Sequence, residues 1–340
     1  MTTPTTDMAT RERVWHSWHL HAASFDPQAL EDLISGVVAP TITALARRDR
    51  EARAGASTVP NVPRPWFFMR YWQNGPHLRF RIADLGGVDT EWVTSHLQRC
   101  YTAEAIQRPA ASRTQIDEHD YRQMTSHLAA AGEGNGALPP GTLQPAGVHR
   151  ARYEPEVQRY GGTAELMRAA EELFRLSSLE TLRRCLTRGG HSRNLGDGLE
   201  AMAATAAAWP GEPIDLLTQI RDSWGQWLRA AIPQAADSIE PFAQRRAEAL
   251  AGQSQAVRDL IDGGPSRWSP WTIPLATAAQ GWVEKLGHDR ALGIFASHLH
   301  MTQNRLGVGG GREAHLAATL LRLLDSPAHI SSSHNGRSVA

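Results

Sequence analysis

The chain has 340 residues, 41% of them hydrophobic, with 35 Lys plus Arg against 35 Asp plus Glu and a formal net charge of zero. That is ample for a sizeable core, but it argues against a nucleic-acid partner, since proteins that grip a phosphate backbone carry a clear basic excess. The two cysteines, Cys100 and Cys185, have neither disulfide-framework nor zinc-ligand spacing, Met1 to Thr10 lacks a signal-peptide core, and no run approaches the ~18 apolar residues of a membrane span, so a cytoplasmic protein without membrane contact is expected.

The first element in chain order is Arg13 to Ala22. There Val14, His16, Trp18 and Leu20 alternate with Trp15, Ser17, His19 and His21, the period of a strand. Asp26 before Pro27 predicts a helix start. Leu30, Leu33, Ile34, Val37 and Val38 form its apolar stripe; it ends near Pro40, and further helix leads into the charged run Arg47 to Arg53. Trp66 to Trp72, the turn Gln73-Asn74-Gly75-Pro76 and His77 to Ala83 predict a hairpin. On its second strand Leu78, Phe80 and Ile82 share one face, while His77, Arg79 and Arg81 share the other. Asp89 to Gln98 reads as helix, Ala103 to Arg113 as a return to the sheet and Gly132 to Gly147 as a surface loop. Thr163 caps a helix bearing Leu166, Ala169, Ala170, Leu173, Phe174 and Leu176. Helical sequence follows, broken at Gly189-Gly190, Pro210, Pro233, Gly263 to Pro265 and Gly307 to Gly311. The fold class is α+β, with antiparallel strands mostly in the N-terminal half and helices mostly in the C-terminal half. One domain is expected over 1–330, strand-rich over 11–160 and helix-rich over 161–325, with 331–340 as a flexible tail.

Several segments invite chemistry. His19 and His21 share a strand face, but His16 points the other way and no neighbouring carboxylate supplies a third ligand. The expectation is a solvated strand and no metal. The glycines of 307–311 follow a helix and lack the Lys-Ser/Thr of a phosphate loop, so they read as a helix-to-helix connector. The cationic face His77, Arg79, Arg81 can bind carboxylates through bidentate guanidinium hydrogen bonds, although taken alone it fits an ordinary exposed strand face better. In YEPEVQRYGG, Tyr153 to Gly162, the paired glycines let backbone approach a ligand at a helix start and set Arg159 and Tyr160 at its mouth; a purely structural turn fits equally well. In SHLHMTQNRLG, Ser297, His300, Gln303 and Asn304 share a polar helix face, able to exchange protons or anchor amides, or simply to face water.

In this order, WFFMRYWQNGPHLRFRI, YEPEVQRYGG with the following AAEELFRLSS, and HMTQNRLG resemble the C-terminal domain of lantibiotic dehydratases and its stand-alone thiopeptide versions, from about Arg13 to Leu324. In eliminating members, the resemblance implies, glutamate is lost from glutamylated Ser or Thr with the help of two arginines and a histidine, which would match Arg79 or Arg81, Arg159 and His300. In a second branch, the pyridine synthases, two dehydroalanines of one peptide are joined by a formal [4+2] aza-cycloaddition, with loss of water and of the leader peptide. The long span from Ser178 to His300, with Trp209, Trp224, Trp227, Trp268, Trp271 and Trp282 as possible walls of a wide pocket, favours the second branch. On that reading His300, Tyr160, Gln303 and Arg159 are the catalytic candidates, and Arg79, Arg81, His77, Tyr153, Asn304 and Ser297 the substrate-binding ones. The partner is a dehydrated, azole-containing precursor peptide, with other enzymes of the same pathway as further partners; no cofactor is called for. A glutamate-eliminating lyase and a non-catalytic leader-peptide binding subunit are the alternatives.

Overall fold

A computed structural model describes residues 13–53, 64–107, 118–119, 121–122, 143–187 and 194–325. The expected tail, 331–340, and most of the expected 132–147 loop lie outside these. The alternating segments form a four-stranded antiparallel sheet in the order β2-β3-β1-β4: β1 is Trp15–His21, β2 Trp66–Tyr71, β3 His77–Ala83 and β4 Gly147–Ala151. Asn74 (φ 62°) and Gly75 (φ 98°) both take the left-handed conformation that the Asn-Gly signal foretells between β2 and β3.

Because the strand period is two, the two sheet faces carry different chemistry. Trp18, Leu20, Phe68, Leu78, Phe80 and Ile82 are buried in one cluster with Ile34, Val37, Val38, Val93 and Leu97. These last come from the segment comprising α1 (Pro27–Leu33), a π-helical stretch (Ile34–Val38) and α2 (Ala39–Arg53), and from α3 (Gly87–Gln107). Asp26 caps α1 through its carboxylate, which accepts from the Gln28 amide at 2.9 Å. The segment Pro27–Ala52 is long and apolar enough to cross a membrane, but over half of its apolar window is buried inside the protein, and its stripe lies on the sheet.

Two expectations change here. Pro40 does not end a helix, because the wide π turn just before it has already displaced the regular i→i−4 ladder in which proline could not donate. Ala103 to Gln107 does not return to the sheet but completes α3, as its alanine- and glutamate-containing sequence favours; residues 108–113 lie outside those described. The fourth strand is instead β4, at the end of the stretch read as loop.

The helical half comprises α4 (Ala164–Thr187), α5 (Asn194–Ala208), α6 (Pro213–Ala231), α7 (Pro233–Asp237), α8 (Ile239–Ala249), α9 (Ser254–Ile261), α10 (Ser269–Leu286), α11 (His288–Arg305) and α12 (Gly310–Asp325). Thr163 caps α4 as expected, its hydroxyl accepting from the Leu166 amide at 3.2 Å. Four of the six tryptophans expected as pocket walls are core residues instead. Trp209, Trp268, Trp271 and Trp282 are buried in the core with Phe174, Phe295 and Leu299, because large rings remove the most apolar area from water there. Trp224 and Trp227 are only partly buried.

A polar spine joins the two halves. Arg305, fully buried, donates from Nε to the Phe68 carbonyl (2.7 Å) and from Nη1 to Ser177 Oγ (2.9 Å). Its own carbonyl accepts from Arg70 Nε (3.0 Å), and Arg70 Nη2 reaches Glu31 Oε1 at 2.5 Å.

Candidate functional site

The second sheet face is where the cationic residues lie. Register sets Ser17 opposite Arg81, His19 opposite Arg79 and His149, and His21 opposite His77, with Phe67, Met69 and Tyr71 alongside on β2. This face is not the solvated surface that its composition suggested, since His21, His77 and Arg81 are all buried.

Arg81 sits in an aromatic cage, its guanidinium carbon 4.4 Å from the Tyr153 ring centre and 5.1 Å from that of Phe67. Trp15 packs edge-on against both rings. Arg79 lies 3.4 Å over the ring of Tyr71. Burial, above all, lowers both guanidinium pKa values, Arg81's to about 10, so each remains a cation at neutral pH. Neither makes an ion pair among the described residues, and the buried Nε of each has no hydrogen-bond partner. Rings hold these cations in place while leaving donors free for a ligand's carbonyl or carboxylate oxygens. Tyr153 donates to Glu171 Oε1 at 3.0 Å, and burial pushes its phenol pKa well up. An open groove of about 530 Å³, lined by Trp15, Ser17, Arg150, Arg152 and Tyr153 among others, borders the cage.

The Arg159-Tyr160-Gly161-Gly162 turn comes next. Gly161 (φ 105°) and Gly162 (φ 84°) hold it, and a Cβ at Gly161 would lie 2.4 Å from Leu166 Cδ1, so glycine is required. Arg159 donates to Ser297 Oγ on α11 (3.2 Å) and pairs with Glu156. Tyr160 is buried against Phe174 and His298, and its phenol pKa is pushed up to about 12, chiefly by burial; it is therefore a proton donor at neutral pH. The charges of Arg81 and Arg305 act on it, which places the turn beside the caged strand.

On α11, the expected polar face divides. Ser297 meets Arg159. Gln303 is fully buried and donates to the Gly198 carbonyl (2.9 Å). Asn304 accepts from the Arg70 amide (2.9 Å) and donates to the Arg70 carbonyl (3.0 Å), completing the edge of β2 as a further strand would. His300 lies on the ridge between Ser297 and Asn304, half-buried, its Nδ1 2.6 Å from buried Glu313 Oε1 and its ring 4.8 Å from Trp224. The structure thus brings Arg79, Arg81, Tyr153, Tyr160, Arg159 and Ser297 into one neighbourhood. It gives His300 a different set of partners and anchors Gln303 and Asn304 in the scaffold. Since Asn304 serves two backbone groups, Asn304→Ala should cost about 2 kcal/mol by leaving them unpaired, read as a lowered Tm. An unchanged Tm would show that β2 does not need it.

Sequence reading passed over His298. It is buried among Tyr160, Phe174 and Trp282, stacked on the last at 5.3 Å, and burial holds its pKa down to about 3. Its signal was only the i+1 position beside the polar face. An unfolded histidine takes a proton below about pH 6.5, whereas folded His298 stays neutral to about 3; stability is therefore constant above 6.5 and falls as pH drops from there, by up to about 1.4 kcal/mol per pH unit. Melting temperature should fall between roughly pH 7 and 5, and less steeply in His298→Phe. Equal slopes would assign the acid lability elsewhere.

The sequence model described as "Lantibiotic biosynthesis dehydratase C-term" matches residues 15–324. No curated protein matches the chain. Among solved structures, the fold is similar to "Pyridine synthase, TbtD, from thiomuracin biosynthesis", with TM-score 0.66 and 17% identity over 92% of this chain and 98% of that one. It is also similar to TsrL, with TM-score 0.56 and 17% identity over 92% and 95%.

Proposed function

This chain belongs to the lantibiotic biosynthesis dehydratase C-terminal family, and from that premise we propose that it is a thiopeptide pyridine synthase. It joins two dehydroalanines of a leader-bearing azole peptide by formal [4+2] aza-cycloaddition, followed by loss of water and of the leader. The observation that carries this reading is the pair of ring-held guanidiniums, Arg79 and Arg81, which make no ion pair among the described residues, beside the buried phenol of Tyr160. Such a face binds a neutral, carbonyl-rich backbone and presents a proton donor to it. Likeness in fold to a pyridine synthase along nearly that protein's full length supports the same reading.

The chemistry asks the protein to hold two alkenes together, which lowers the entropic barrier, and to help one backbone amide reach its iminol form. Tyr160 donates to the amide oxygen, while His300, held by Glu313 and set apart from Tyr160, accepts the ring proton that leaves when water and leader are lost. Arg159, Arg79, Arg81, His77, Tyr153 and Ser297 hold the peptide. The leader-bearing peptide is the partner.

Glutamate elimination is a second reading, favoured by one observation: Arg79 or Arg81, Arg159 and His300 are the residue types that the resemblance assigns to it. Incubation with an azole peptide bearing two dehydroalanines should yield macrocycle and free leader. No product there, with glutamate released from a glutamylated peptide, would establish elimination instead; inactivity in both with tight leader binding would leave a binding subunit. Arg79→Ala should raise KM about tenfold with a smaller change in kcat, because one charge-assisted hydrogen bond is lost from ground and transition states alike. An unchanged KM would free Arg79 from peptide binding.

A further inference from the structure

The sheet face carries a second cluster, next to the arginines, that shares only His77 with the proposed peptide site. His19 and His21 stand on β1 and His77 on the adjacent β3, with one ligand nitrogen from each within 4.8 Å of the others. The rings of His77 and His21 are stacked at 4.3 Å, those of His77 and His19 at 4.7 Å, and His149 of β4 stands edge-on to His21 at 5.3 Å. A pair on one strand lacked a third ligand in sequence; antiparallel pairing of His21 with His77 supplies it.

We propose that His19, His21 and His77 form a three-histidine site for Zn²⁺ with one coordination position left open. Hydrogen bonding points to this use. His77 Nδ1 is 2.8 Å from the Gly75 carbonyl, so the proton resides there and Nε2 is a bare lone pair, buried and without a partner. Donation of the non-ligating N–H to a backbone carbonyl is what orients a metal-bound imidazole. Nδ1 of His21 is likewise buried and unpartnered. Neutral imidazoles select a borderline ion such as Zn²⁺ over Mg²⁺ or Ca²⁺, which prefer oxygen. The tight Asn74-Gly75 turn, whose carbonyl fixes His77, makes the third ligand part of the hairpin itself. Arg79, opposite His19 and turned onto Tyr71, and Arg81 beyond it on β3 are permanent cations of this face whose charges reach His19, and they keep the affinity below that of a carboxylate-bearing site.

The test reads binding rather than turnover and so stands apart from the proposed peptide chemistry. The full chain, free of any tag and stripped of metal, is titrated with Zn²⁺ by calorimetry, with Mg²⁺ as the control and Co²⁺ as a visible-absorption probe. One equivalent of Zn²⁺ should bind and raise Tm, Mg²⁺ should do neither, and Co²⁺ should develop ligand-field bands. His77→Asn and His19→Asn should each weaken Zn²⁺ binding by ~10²-fold or more, at least the loss seen when an outer-shell partner is removed. His77 is buried and its loss can unfold the hairpin; His19 is only half-buried, so its variant decides the matter if the first fails to fold. Absence of stoichiometric binding to the folded wild-type chain, or undiminished binding by His19→Asn, overturns the site.

Discussion

His300→Ala should slow macrocycle formation by ~10²-fold or more, the usual contribution of a positioned acid or base. The pair it forms with Glu313 explains the size. Glu313 is fully buried, and its carboxylate, 2.6 Å from Nδ1, fixes the proton on that nitrogen and turns Nε2 outward as an acceptor, with 18% of the side chain exposed to meet a substrate. Glu313→Gln keeps the ring in place and loses the charge that stabilises its protonated form, so it should fall between wild type and His300→Ala. Tyr160→Phe should also cost ~10²-fold, because a phenol whose pKa is held at about 12 acts only by donating, and the ring that packs on Phe174 is preserved. Initial rates of macrocycle appearance, with melting curves to confirm folding, are the measurement. A folded variant at full rate removes that residue from the chemistry; two-state loss at His300 with none at Tyr160 would put proton acceptance, not donation, in control.

Glu31→Ala should destabilise the protein by ~3–5 kcal/mol, because it strands the Arg70 guanidinium in the interior. Glu31 is 3% exposed and Arg70 8%, and the two meet at 2.5 Å where α1 reaches β2. The other Glu31 oxygen accepts from Cys185 Sγ at 3.4 Å, and burial beside that carboxylate pushes the thiol pKa up to about 12, so Cys185 is an inert part of the spine. At roughly 2–4 °C per kcal/mol, a Tm drop on the order of 10 °C is expected. Replacing both members, as in Glu31→Leu with Arg70→Met, should restore most of it, since the penalty belongs to the unpaired ion and not to the loss of a favourable pair. Equal damage from the double replacement would mean that the pair is worth more than its desolvation cost.

Much of the fold was legible because local signals are strong wherever a period and a terminator coincide. The alternation in β1 and β3, the Asn-Gly turn, the Asp26-Pro27 start and the Thr163 cap each carry their cause within a few residues. Pro40 and the Ala103 to Gln107 stretch misled for the opposite reason: a π turn and a helix continuation are settled by packing against the sheet, not by the residues alone.

By itself, the sequence determined which residues could share a face, because strand and helix periods are fixed by backbone geometry, and its ordered motifs marked the family. It did not decide which of those faces would meet. Only the tertiary structure turned the cationic strand face inward onto Phe67 and Tyr153, spent Gln303 and Asn304 on the scaffold, put His298 instead of His300 against Tyr160, and brought His77 beside His19 and His21. Those outcomes depend on contacts between segments tens to hundreds of residues apart, set by strand register and by how the helices bury their rings, and no local pattern encodes them.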